Sequence, residues 1–248
     1  MDNLYKVSQI IKNSKYLTVF TGAGISKESG IPVFRGNEGV YSKYDPGMLE
    51  LRTYKKNPHE AWKAVKAIFY DFLQDARPNA AHNILARWEK KGIVKCVITQ
   101  NIDNLHKDAG SINVVEYHGT KDSFICLNCG KSFKLEEVGI SEEYPVCRSC
   151  EGLLKPDFIF FGEAIPELAA QISYDEAKRS DVHIVIGTTG DVQPASYIPH
   201  YAKKAGATII EINPEESKFT NSITDIYIKM GASKALEEID TLLHTFQL

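Results

Sequence analysis

Six short runs of β-branched and aliphatic residues recur along this 248-residue chain, most of them separated by longer amphipathic stretches. They are Leu17–Phe20, Val94–Ile98, Val114–Tyr117, Val182–Ile186, Thr208–Ile212 and Asp225–Ile228. Each is apolar at consecutive positions rather than alternate ones, as strands buried on both faces must be. Only a sheet covered by helices on both sides buries strands that way, so the fold class is α/β with a parallel sheet. Helical periodicity predicts helices over Asn3–Asn13, Pro58–Ala76, Asn79–Lys91, Ile102–Ala109, Pro166–Arg179, Ala195–Ala205 and Ala232–His244. Asn79 follows Pro78 and precedes an apolar-periodic run, which makes it an N-cap.

Two regions break the alternation. Residues 121–157 carry four of the five cysteines and little sheet-like patterning, so they read as an inserted metal-binding module. Residues 33–60 are rich in Gly, Pro, Lys and Tyr and read as a mobile connection with short helices. The remainder, 1–32, 61–120 and 158–248, is expected to form the main domain. Hydrophobic residues make up 43% and charged residues 25%, which predicts a sizeable core. A net charge of −3 gives no electrostatic ground for a nucleic-acid or membrane partner. No stretch approaches the roughly 18–20 apolar residues that span a bilayer, and no signal peptide is readable. The expectation is a soluble, cytoplasmic protein.

The cysteines are paired as Cys126-x2-Cys129 and Cys147-x2-Cys150, with 17 residues between the pairs. Inside a cell such pairs point to metal rather than to disulfides. Each pair can turn two thiolates toward one ion, and four complete a tetrahedral zinc site. With all four positions filled by protein, no place remains for water or substrate, so the zinc is structural and not that of a hydrolase. The fifth, Cys96, sits in an apolar strand and reads as a buried, unreactive thiol.

The first strand runs directly into Thr21-Gly22-Ala23-Gly24-Ile25-Ser26. Glycines between a strand and a helix let backbone amides approach a phosphate, and the helix N-terminus favours the negative charge. The fingerprint is incomplete, because Lys27 stands where a third glycine is usual and no acidic ribose partner is evident. A tight turn alone would also satisfy it. The segment continues into Ser29-Gly30-Ile31-Pro32-Val33-Phe34-Arg35-Gly36. It is followed in order by Thr99-Gln100-Asn101-Ile102-Asp103-Asn104-Leu105-His106, Tyr117-His118-Gly119 and Phe161-Gly162-Glu163. These blocks, with the paired cysteines between the last two, resemble the sirtuin family over nearly the whole chain.

The resemblance implies a Rossmann-like domain with an inserted zinc ribbon, and NAD as co-substrate. It implies that the backbone of Gly22, Ala23 and Gly24 holds the pyrophosphate. Phe34 and Arg35 would close over the cofactor, with Phe34 shielding the reactive sugar carbon from water. Gln100, Asn101 and Asp103 would line the nicotinamide pocket, and Ser26 and Ile102 lie in the same cofactor-binding blocks. Three polar side chains ending a buried strand are costly unless they meet a ligand or each other. Gly187, Thr188 and Thr189 match an adenosine-side loop that usually reads Gly-Thr-Ser, although Gly190-Asp191 departs from the apolar residues usual there. Asn213 would contact the adenine ribose and Ala232 the adenine.

A lone histidine would by default be structural; the resemblance makes His118 the catalytic base, assisted by Asn101. In the family the acyl oxygen attacks the ribose carbon as nicotinamide leaves, and the histidine then deprotonates a ribose hydroxyl. The implied products are nicotinamide, free lysine and an acylated ADP-ribose. Phe160, Phe161, Gly162 and Glu163 would present an edge to which an acyl-lysine peptide adds as a strand. Desuccinylating sirtuins carry a Tyr and an Arg three residues apart near a Trp-containing helix start. Aligning on Trp62 puts Val65 and Ile68 at those positions, so the expected substrate is acetyl or a longer neutral acyl chain. The alternatives are a mono-ADP-ribosyltransferase on the same scaffold and a zinc-ribbon binding module with a vestigial NAD site.

Overall fold

All six apolar runs are strands of a single parallel sheet. The structure, a computed structural model, describes residues 2–32, 40, 44–71, 73, 75–141 and 143–245. The sheet strands are β1 (Leu17–Thr21), β2 (Val94–Thr99), β3 (Val114–Glu116), β7 (Val182–Ile186), β8 (Thr208–Ile212) and β9 (Ile226–Ile228). They lie in the order β3-β2-β1-β7-β8-β9. The chain thus builds outward from β1 in one direction and later returns to its other side. The order reverses between β1 and β7, and in such sheets the crevice outside the carboxyl ends of those strands is where ligands bind.

Successive strand residues face opposite sides. The sheet's own core has two faces: Val19 and Ile184 pack on one with helices α1 (Asp2–Asn13), α4 (Ala80–Lys90) and α9 (Ala232–Thr245). Phe20 and Val185 pack on the other with α7 (Glu167–Arg179) and α8 (Tyr197–Lys204). Asn79 caps α4 as expected, accepting from the Ala81 and His82 amides and completing a capping box with the His82 ring.

A second core lies beside the sheet. Here β4 (Gly119–Cys126) pairs antiparallel with β5 (Ser132–Lys134) and β6 (Leu154–Phe158). Trp62, Tyr54, Phe124, Leu154, Phe158 and Phe160 fill it. It draws on α2 (Leu51–Lys56) and α3 (Pro58–Lys66), while the short α6 (Leu135–Val138) lies over β4 and β5. The cysteine segment therefore has more sheet than its sequence suggests. The strand β4 hides from pattern reading because its first five residues are only half-buried. In β6, a lysine and a proline interrupt the apolar run.

Two helices are shorter than periodicity predicts. The run from Pro58 is α-helical to Lys66 and then π-helical over Ala67–Asp71. The helix expected over Ile102–Ala109 contracts to α5 (Leu105–Asp108). Asn104 is left-handed at φ 67°, and the Asp103 carboxylate accepts the Leu105 amide at 3.0 Å, so the preceding residues form a capped loop. Among the described residues no helix is long and apolar enough to cross a membrane.

Candidate active site

The predicted cofactor residues Gly22, Ala23, Gly24, Gln100, Asn101, Gly187, Thr188 and Asn213 follow the carboxyl ends of β1, β2, β7 and β8. After β1 the chain turns into a 3-10 helix, Ala23–Ser29. Gly22 donates its amide to Ile186 O at 3.0 Å, and Gly24 to Gly187 O at 2.8 Å. A Cβ on Gly24 would come within 2.6 Å of Gly187 Cα, and one on Gly22 within 2.8 Å of Thr188 Cβ. The two glycines are therefore required first by the close packing of two loops at the switch point. With their amides committed there, Ala23 heads the 3-10 helix between them.

The three polar residues after β2 bind the glycine loop and the loop after β7 rather than one another. Gln100 Nε2 donates to Thr188 Oγ1 at 3.2 Å, linking the ends of β2 and β7. Asn101 Nδ2 donates to Gly22 O at 3.2 Å and to Ser26 Oγ at 3.1 Å. Ser26 in turn donates to Asp103 Oδ2 at 2.6 Å. Asp103 is 7% exposed. Burial pushes its carboxyl up, opposed by the hydrogen bonds from Ser26 and the Leu105 amide. Each carboxylate oxygen keeps a second lone pair. Beneath them Thr21 Oγ1 donates to Thr99 Oγ1 at 2.9 Å, which accepts the Asn101 amide at 3.1 Å. Thr21 and Thr99 were not singled out from sequence, where two strand-end threonines carry no distinguishing signal. Ile102 is buried in the second core, its carbonyl accepting the Lys121 amide.

His118 occupies the junction of the two cores. Its Nδ1 lies 3.0 Å from Gln100 O. A carbonyl only accepts, so the neutral ring carries its proton on Nδ1 and leaves Nε2 as a base. Burial holds the imidazole below its ordinary range, and the bond to Gln100 O works in the opposite direction. The ring is thus neutral near pH 7. Ile159 donates to His118 O at 2.8 Å, and Tyr117 packs edge-on to the ring at 5.4 Å. Gly119 follows with φ +81°, and a Cβ there would lie 2.2 Å from Asp157 O. No other residue fits that step.

On the far side of the crevice Asn213 Nδ2 donates to Thr188 O at 3.0 Å, and Thr189 O accepts the Lys218 amide at 3.0 Å. The unusual Gly190-Asp191 pair is accounted for locally. A Cβ on Gly190 would sit 3.0 Å from the Phe219 ring, and Asp191 pairs with Lys218 at 2.7 Å. This loop has an organiser that sequence reading missed. Glu211, fully buried on β8, accepts the hydroxyls of Ser217, Thr220 and Thr224. An acid inside an apolar strand, followed by three spaced hydroxyl residues, was the available signal. Ala232 opens α9 with its side chain buried. Phe34 and Arg35 lie outside the described residues.

The expected peptide edge is only partly open. Phe158 pairs with Gly119, and Phe161 bridges to residues 49–51 through bonds of 2.9 and 3.1 Å. Phe160 is 2% exposed, whereas Phe161 is 48% exposed and Gly162 is exposed beside it. Val65 and Ile68 are both buried in the second core. Two surface grooves, of about 380 and 360 Å³, lie at the opposite, amino ends of the strands and contain none of these residues.

The four cysteine sulfurs lie within 4.8 Å of one another. Cys126–Cys150 and Cys129–Cys147 approach to 3.5 and 3.8 Å. A Zn–S bond of about 2.3 Å requires tetrahedral sulfurs about 3.8 Å apart, so the set fits zinc. Backbone amides of Asn128, Cys129 and Ser149 point at the sulfurs at 3.4 Å, the arrangement that stabilises thiolates. Cys96 is buried elsewhere, and burial pushes its thiol up to about 12.

The model of the Sir2 family matches residues 22–194. The chain belongs to the Sir2 family. An NAD-dependent protein deacylase from Pyrococcus furiosus is 43% identical over 95% of this chain and 96% of its own. A solved Sir2 homologue–NAD complex superposes with a TM-score of 0.90 at 38% identity, covering 97% of this chain and 94% of that one. A Sir2 complex with a p53 peptide and NAD+ gives 0.87 at 32% identity, covering 95% and 96%. The polar cluster at the switch point, built of amides, hydroxyls and one buried acid, suits the amide and sugar groups of the NAD on which Sir2 enzymes depend.

Proposed function

We propose that this Sir2 protein removes acetyl or longer neutral acyl groups from protein lysines, consuming NAD and releasing nicotinamide and a 2′-O-acylated ADP-ribose. The observation that carries the reading is His118. It is neutral, fixed by Gln100 O through Nδ1, and offers Nε2 as a proton acceptor at the crevice. Bound NAD supplies an electrophilic ribose carbon and the hydroxyl that is deprotonated. The protein holds and orients. Asp103, anchored by Ser26 and Leu105, accepts from the carboxamide with its remaining lone pairs. The Asn101 amide nitrogen is spent on Gly22 and Ser26, which turns its Oδ1 to the ribose hydroxyls. Ala23 N–H serves the pyrophosphate, Gly187, Thr188 and Thr189 the adenosine side, Asn213 the adenine ribose and Ala232 the adenine. The four cysteines hold zinc, which stabilises the module and takes no part in proton transfer.

The peptide adds its backbone beside Phe161–Glu163, and Val65 and Ile68 shape the acyl side. A carboxylate set against these two buried aliphatic residues would be unpaired at a cost of several kcal/mol. An acyl-peptide panel incubated with NAD and read by mass spectrometry tests the reading. Acetyl and neutral longer chains are expected to be removed, each with one nicotinamide released. Desuccinylation as fast as deacetylation would overturn the substrate assignment. Nicotinamide release and ADP-ribose transfer without any acyl peptide would point to ADP-ribosyl transfer instead.

A further inference from the structure

Between the cysteine cluster and the proposed peptide edge lies a buried ion pair that no step above uses. Lys155 stands on β6, next to Leu154, which pairs with the ligand Cys126 across the strands. Its side chain is only 4% exposed. An ammonium has three donors. Three oxygens meet them: Phe158 O at 2.6 Å, Pro156 O at 2.8 Å and Glu163 Oε2 at 3.0 Å. The charge also lies 4.7 Å from the Phe160 ring centroid. The same Glu163 oxygen accepts the Phe160 amide at 2.7 Å, and the Glu163 amide returns to Phe160 O at 3.0 Å. Gly162, at φ +86°, makes the bend. The turn that carries Phe161 and Gly162 outward is therefore pinned at its base to the strand that begins beside the cysteine cluster.

We infer that Lys155 is a positioning residue for the acyl peptide, holding the Phe160–Glu163 turn at the angle the added strand requires. A buried pair of this kind recovers little net stability against its desolvation. What it adds is direction. One ammonium ties two β6 carbonyls to the single carboxylate that closes the turn, so the module's register is passed to the edge. The inference rests on reading Phe161–Glu163 as the peptide site.

Steady-state kinetics on Lys155→Met and Lys155→Arg, with zinc content measured, tests it. For Lys155→Met the peptide KM should rise about tenfold, with kcat and the NAD KM changing less than about threefold. Zinc should be retained, and Lys155→Arg should recover most of the loss. Hydrogen exchange gives a readout independent of turnover: the Phe160 and Glu163 amides should exchange at least about tenfold faster in Lys155→Met, with β1 unchanged. An unchanged peptide KM, or an equal rise in the NAD KM, overturns the inference. If Lys155→Met does not fold, Lys155→Gln takes its place, with the same selective rise expected. A wild-type protein that turns over no acyl peptide would defeat the functional reading alone. The exchange rates would then still decide whether Lys155 holds the turn.

Discussion

The two cores of this Sir2 protein each contain one tryptophan, and the surroundings of the two differ in kind. Trp88 is fully buried among aliphatic residues of the parallel sheet and its helices, its indole N–H donating to Asp240 at 2.7 Å. Trp62 is equally buried, but in a core of aromatic rings whose margin is the cysteine cluster, and it donates to Ser141 O at 3.0 Å. The first core is large and closed by its own apolar surface. The second is smaller than the sheet's, and two of its buried residues, Cys126 and Cys147, belong to the four-cysteine cluster placed to hold zinc. Stability in one is a matter of packing; in the other it is linked to an ion. His118 sits where they meet, so chemistry depends on both.

Stripping zinc should break this comparison most visibly. Structural zinc contributes on the order of 10 kcal/mol to small modules. Chelation, or Cys126→Ser, is expected to abolish activity and shift the emission of Trp62, measured in a Trp88→Phe background. Trp88 emission, measured with Trp62→Phe, should stay put. A simultaneous change in both would mean that the cores are not separable.

At the junction, Gly119→Ala forces a side chain into a left-handed step and against Asp157 O. A loss on the order of 3 kcal/mol is expected from denaturant unfolding, with Trp62 responding first.

Acid should act on the other core. Burial holds His82 down to about 4 and His183 to about 3. The unfolded chain takes up these protons near pH 6.5 and the folded one does not. Stability is therefore complete above that pH and falls as the solution is acidified toward about 4 and 3. Each histidine adds about 1.4 kcal/mol per pH unit to the slope within its window. Replacing His183 with Gln should reduce the slope by one proton, read from urea midpoints across pH.

The smallest effect sharpens the picture on the adenosine side. Glu211→Gln weakens the acceptor for three hydroxyls. It should raise the NAD KM severalfold, on the order of 1 kcal/mol, and leave the peptide KM alone.

The same contrast governs how much was legible in the sequence. The six sheet strands were readable because burial on both faces leaves an uninterrupted apolar run. The half-exposed strand Gly119–Cys126 has no such run and was missed, as was Leu154–Phe158 with its internal lysine and proline. The four-cysteine site was legible from spacing alone, since tetrahedral coordination dictates the pairs. His118 was legible only through the Sir2 resemblance, because its tautomer depends on a carbonyl 18 residues away. The close approach of Gly24 to Gly187 and the Lys155–Glu163 pair lay beyond sequence reading, being products of tertiary packing. Helix Ile102–Ala109 was overextended because periodicity does not register a left-handed Asn104.

The account turns on His118 as base, and the most direct measurement compares wild type with His118→Tyr on an acetyl-lysine peptide with NAD. The wild type should release nicotinamide and deacetylated peptide one to one, with a rate that falls only at pH values below the ordinary imidazole range, because burial holds His118 down. The variant should lose about 10²–10⁴-fold in turnover while retaining zinc and its fold. Full turnover in the variant, with the same acid limb, would contradict the account.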